Sequence, residues 1–96
     1  MSRSFAMPAG DPVFEGHFPD QPIVPGAWLL DHVVEAASDA GLDGPWRLAS
    51  VKFLSPVGPG EAAILSLRPA SAGGLAFTLH CGEREVARGS IAALED

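Results

Sequence analysis

Only one stretch of this chain has the makings of a long helix, and its flanks exclude another. Ala27, Leu30, Val33, Val34 and Ala37 recur at the i, i+3, i+4 spacing of a buried stripe and predict a helix from about Ala27 to Ala40. Gly26 precedes it, Gly41 stands where a left-handed C-cap belongs, and Pro45 lies shortly beyond. Upstream, Pro8, Pro12, Pro19, Pro22 and Pro25 fall within the first 26 residues. Proline fixes φ and removes a donor, so that segment is expected to be a stiff, irregular path. Downstream the pattern turns to strands: Leu48 to Leu54, Ala62 to Arg68, Leu75 to Cys81 and Arg84 to Leu94. The second and third of these predict a hairpin across Ser71-Ala72-Gly73-Gly74. In the last, Val86, Arg88, Ser90 and Ala92 share one face, opposite Ala87, Gly89, Ile91 and Ala93. Short connections imply antiparallel pairing, and one helix followed by strands implies an α+β domain with the helix on one sheet face.

With 96 residues, 47% of them hydrophobic and 19% charged, the chain is expected to be a single domain with a real core. Pairing with a second copy would be a natural source of further burial. A net charge of −6 argues against nucleic acid or an anionic membrane as the main partner, since both require a basic footprint. No apolar run approaches the roughly 18 residues of a membrane span, and Met1-Ser2-Arg3-Ser4-Phe5 has no signal-peptide core. The single cysteine, Cys81, excludes an internal disulfide and fits a reducing cytoplasm.

Chemistry concentrates between Gly16 and Asp31. His17 is the side chain best suited to proton transfer near neutral pH, and prolines stiffen its loop; the alternative is a loop histidine that caps or packs. Pro25-Gly26 leads into the helix with no Ser, Thr, Asn or Asp as a side-chain cap, leaving first-turn amides free to face a developing oxyanion. Glycine at 26 also lets a ligand approach the backbone closely. Asp31 lies one turn into the helix, on the flank of the apolar stripe, where partial desolvation would make it a usable acid. Periodicity alone puts it on a solvated arc with His32, Glu35, Ser38 and Asp39. Phe14, Phe18, Phe53 and Phe77 are candidates for either a core or an acyl tunnel, and Trp28 beside the helix start for setting tunnel width. His80 and Cys81 point to opposite faces of their strand and no paired ligand spacing exists, so no metal or cofactor is expected.

These residues resemble a known family. Gly16-His17-Phe18-Pro19, then Pro22-Ile23, Pro25-Gly26 and an acidic residue five beyond that glycine are similar to the signature of the hot-dog-fold 3-hydroxyacyl-ACP dehydratases. Phe53-Leu54-Ser55-Pro56-Val57-Gly58-Pro59-Gly60-Glu61 is similar to that family's aromatic strand and Pro-Val-x-Pro-Gly-Asp/Glu turn. The resemblance implies a long helix wrapped by a curved antiparallel sheet, and a dimer with two acyl tunnels at its interface, each site taking its histidine and carboxylate from different subunits. It implies that His17 removes the α-proton of a 3-hydroxyacyl thioester, that Asp31 protonates the departing hydroxyl, and that the Gly26 amide binds the thioester oxygen. Pro25, Phe18 and Trp28 would flank the substrate.

Fatty-acid dehydratases of that family carry glutamate where this chain has Asp31, whereas polyketide and aryl-polyene types use aspartate. The resemblance therefore points toward a specialised polyene or polyketide-like pathway. It implies acyl carrier protein as partner, and a homodimer or a heterodimer with a homologous hot-dog subunit. Acyl carrier protein is acidic, so docking requires basic groups gathered locally; Arg47, Lys52, Arg68, Arg84 and Arg88 are the candidates. Two further readings share the fold: a non-catalytic subunit that binds acyl chains or completes a heteromeric enzyme, and a thioesterase in which Asp31 activates water.

Overall fold

The computed structural model describes residues 2–7, 24–70 and 73–94. Strand β1 (Ser2–Phe5) is followed by helix α1 (Gly26–Asp39) and strands β2 (Trp46–Phe53), β3 (Ala63–Pro69), β4 (Leu75–Cys81) and β5 (Arg84–Ala93). The strands form one antiparallel sheet in the order β1-β3-β4-β5-β2, so β1 and β2 are its edges. The α+β arrangement of one helix on one sheet face is the one expected from the pattern of elements.

Helix α1 stops where glycine permits. Gly41 takes φ +97°, its amide donates to the Ser38 carbonyl, and the Leu42 amide donates to the Ala37 carbonyl. This pair of bonds is the Schellman motif, which satisfies carbonyls the last turn would otherwise leave orphaned. The predicted stripe of Ala27, Leu30, Val33, Val34 and Ala37 holds only at Val33 and Ala37; Ala27 is exposed, and Leu30 and Val34 are half-buried. The buried face is rotated to Leu29, Val33, Ala36 and Ala37, which pack against Leu65, Phe77, Leu79 and Ile91 from the inner sheet face. Each large apolar side chain so enclosed contributes about 1.5–3 kcal/mol, which is what keeps a helix of 14 residues in place.

Three further expectations need correction. The proline-rich segment was expected to be irregular throughout, yet Ser2–Phe5 forms an edge strand on β3. Its five-proline neighbourhood starts only after it, and Phe5 packs on the core while Arg3 pairs with Asp39 at 2.7 Å. Strand β2 begins at Trp46, two residues earlier than the pattern suggested, because Trp46 pairs with Ala93 and its indole N–H donates to the Leu42 carbonyl at 2.8 Å. Val86 does not share the exposed face of Arg88. A register shift between Leu79 and His80 turns both Val86 and Ala87 into the core.

Candidate functional site

Pro25 caps α1 with extended backbone and no side-chain hydrogen bond, as the sequence implied. The Pro25 carbonyl accepts from the Trp28 and Leu29 amides at 3.1 and 3.3 Å. The Gly26 and Ala27 amides precede the first intrahelical bond and meet no acceptor among the described residues. Two aligned donors at the positive end of a helix are suited to stabilising a developing oxyanion.

Those amides sit beside a cavity of about 370 Å³ lined by Val24, Gly26, Leu29, Phe53, Leu54, Ser55, Pro56 and Val57. Its lining is apolar except for one hydroxyl, a surface suited to an acyl chain rather than a sugar or a nucleotide. Gly26 lets Phe53 approach closely: a Cβ there would stand 3.0 Å from Cζ of Phe53, so the ring packs on bare backbone at the mouth of the cavity. The glycine and the end of β2 together make the slot.

The far wall, residues 54–57, is held at several points. The Leu54 and Ser55 amides both donate to the Val86 carbonyl, at 2.7 and 3.2 Å, and the Val24 amide donates to the Val57 carbonyl at 2.8 Å. Arg84 donates through Nη2 to the Pro56 carbonyl at 3.1 Å and to Oε1 of Glu61 at 2.7 Å. The same carboxylate oxygen accepts from the Gly58 amide at 3.1 Å. The Arg84 hydrogen bond, then the Gly58 amide, hold the Glu61 carboxyl below its ordinary value. Burial first, and then the Glu61 charge, push the Cys81 thiol up, so it is a packed side chain and not a poised nucleophile.

The site residues read from sequence fall into three groups. Gly26 and Pro25 stand at the helix start beside the cavity. Asp31 is exposed on α1, on the arc turned away from the buried stripe; within one chain it meets no partner among the described residues. Trp28 does not line this cavity: its ring lies edge-on to Phe5 at 5.7 Å and to His32 at 4.3 Å, with Phe5 and His32 stacked at 4.0 Å. His17 and Phe18 lie outside the described residues. Sequence reasoning missed Leu54, Ser55 and the Glu61–Arg84 pair as parts of the site. The Pro-Val-x-Pro-Gly-Glu turn was its visible signal, but nothing in that turn indicates which strand it hangs from.

Comparison with known proteins places this chain in a dehydratase family. The ApeI-like family, described as ApeI dehydratase, matches residues 1–90. A 3-hydroxyacyl-[acyl-carrier-protein] dehydratase FabZ of Roseiflexus sp. (strain RS-1) is 32% identical over 68 residues, covering 62% of this chain and 48% of the relative. The FabZ of Allorhizobium ampelinum is 30% identical over 82 residues, covering 76% of this chain and 53% of its own. The chain thus spans about half the length of the curated relatives it matches. Among solved structures, the dehydratase heterocomplex ApeI:P from Xenorhabdus doucetiae superposes with a TM-score of 0.76 at 26% identity, over 95% of this chain and 83% of that one. A hypothetical protein from Aquifex aeolicus shares the fold alone, at a TM-score of 0.63 and 12% identity. The expected hot-dog fold is the fold found.

Proposed function

Starting from a chain that belongs to the ApeI-like dehydratase family, we propose that it eliminates water from a 3-hydroxyacyl thioester to give the trans-2-enoyl thioester. The observation that carries this reading is the Gly26 backbone lining an apolar slot at a helix start whose Gly26 and Ala27 amides meet no acceptor among the described residues. An acyl chain lies in the slot with its thioester carbonyl toward the helix start. His17 takes the α-proton, and the electrons move toward the carbonyl, whose growing negative charge the Gly26 amide and helix dipole stabilise. The Cα–Cβ double bond then forms as the β-hydroxyl leaves, protonated by Asp31 to depart as water. A proton passing from His17 back to Asp31 restores both groups.

Asp31 is exposed on a single chain, which fits a site completed by a second subunit. The half-exposed Phe53 and Leu54, at the end of edge strand β2, offer that subunit an apolar surface. The likeness to the ApeI:P heterocomplex favours a homologous hot-dog partner as well as a second copy of this chain. Aspartate at 31 suits a specialised polyene or polyketide-like pathway, with acyl carrier protein presenting the substrate. The unpaired Cys81 suits a cytoplasmic setting.

The test is hydration of crotonyl-ACP, the reverse reaction, by the purified chain alone and after addition of a homologous subunit. Turnover by the isolated chain supports a homomeric enzyme, and turnover only with the partner a heteromeric one. His17→Ala is expected to abolish turnover with the fold intact; full activity in that variant would refute the assignment.

A further inference from the structure

Charge is segregated among the described residues. Strand register sets Arg47 opposite Ala92, Lys52 opposite Arg88, Arg88 opposite Thr78, and Arg68 opposite Ala76. All four basic side chains therefore project from the sheet face turned away from α1, and all four are exposed. Among the described residues of that face the one carboxylate is Glu85, 3.6 Å from Arg88 and 3.9 Å from His80. Of the exposed acids among the described residues, Asp31, Glu35, Asp39 and Asp43 lie on α1 or just after it, and Glu83 lies in the turn between β4 and β5. A chain of net charge −6 thus carries a cationic face.

That face is also hollow. Lys52, Arg68 and Arg88 rim a depression of about 330 Å³ whose polar lining includes the hydroxyls of Ser50, Thr78 and Ser90. It exists because the strand positions between the long cations carry small side chains, Ala76 and Ser90, opposite each other on β4 and β5. At one end of the depression Lys52 is followed by Phe53, which points to the other face and lines the cavity beside Gly26.

We propose that this outer face of the sheet, centred on Lys52, Arg68 and Arg88, is where an acidic carrier protein docks, its prosthetic arm rounding the end of β2 to reach the Gly26 amide. The inference rests on the dehydratase reading for the identity of the partner. Charge complementarity selects a compact acidic protein that touches this face alone. An extended polyanion such as nucleic acid would also meet the field of the helix-side carboxylates. Pairing of a second subunit along the β2 edge leaves the outer face open.

Binding of fluorescently labelled acyl carrier protein to the full chain, followed by anisotropy at two salt concentrations, tests this. Wild-type affinity is expected to fall as salt rises. The triple variant Lys52→Glu/Arg68→Glu/Arg88→Glu is expected to lose at least about tenfold, each reversal being worth about two- to fivefold. Arg88→Gln and Arg68→Gln singly provide the same test should the triple variant misfold. Asp43→Lys alters net charge as much as a reversal but lies off the face, and should leave affinity within about twofold. Carrier affinity unchanged in the triple and single variants, or a shift from Asp43→Lys as large as theirs, overturns the proposal. So does a single-stranded RNA that binds the wild-type face more tightly than the carrier does. Hydration of crotonyl N-acetylcysteamine, a carrier-free thioester, separates the two readings. Its retention by the triple variant locates the defect in docking, and its absence in wild-type protein both alone and with a homologous subunit counts against the dehydratase and not against the binding result.

Discussion

The Phe53 ring rests on the backbone of Gly26, so close that a Cβ at position 26 would stand 3.0 Å from one ring carbon and 3.3 Å from the next. This contact joins the edge strand to the helix start and closes one side of the slot. Gly26→Ala therefore separates stability from function. Alanine is a better helix residue than glycine, by up to about 1 kcal/mol. The half-exposed Phe53 ring can also yield. The variant is expected to melt within a few degrees of wild type. The displaced ring and crowded amide should nevertheless lower turnover by about ten- to a hundredfold. Circular dichroism melting and a hydration assay read the two quantities; unchanged turnover would remove Gly26 from the site.

Asp31 tests the acid. Because its carboxyl is exposed and meets no partner among the described residues, Asp31→Asn should leave the melting temperature within error of wild type. If the carboxyl delivers the proton, turnover should drop by at least about a hundredfold, whereas Asp31→Glu should retain activity or gain it. An active Asp31→Asn enzyme would return the residue to the solvated arc that its periodicity describes.

The Glu61–Arg84 pair predicts a pH signature. Glu61 titrates below its ordinary value of 4.5 in the folded chain, so the folded state binds its proton less readily than the unfolded state does. Its contribution is fully present above pH 4.5 and declines as pH falls through the lowered folded value. Glu61→Gln should accordingly lower the melting temperature at pH 7, with the gap to wild type narrowing below about pH 4. A gap that stays constant with pH would mean that the carboxylate charge does not anchor the wall.

Cys81 predicts inertness. Burial and the neighbouring Glu61 charge disfavour its thiolate, the reactive form. At pH 8 a disulfide reagent such as DTNB should label the native protein at least about a hundredfold more slowly than the denatured chain, at a rate that follows unfolding. Prompt stoichiometric labelling of native protein would show the thiol to be accessible.

Much of this molecule is written in local pattern. The helical apolar spacing, Gly41 and the alternation of β4 specify one helix and an antiparallel run of strands, because those signals depend on neighbours two to four residues away. The uncapped helix start at Pro25-Gly26 was legible for the same reason. What the sequence could not express was which distant residues share a surface. Ser2–Phe5 becomes a strand because β3 offers it an edge, 62 positions away along the chain for Arg3 and Leu65. Phe53 meets Gly26, and Arg84 meets Glu61, because sheet order and register bring them together. Whether four cations spread over 42 positions gather on one face depends on the parity of four strand positions at once, and a single bulge moves every residue beyond it. Local periodicity determined the elements; only long-range pairing decided their surfaces.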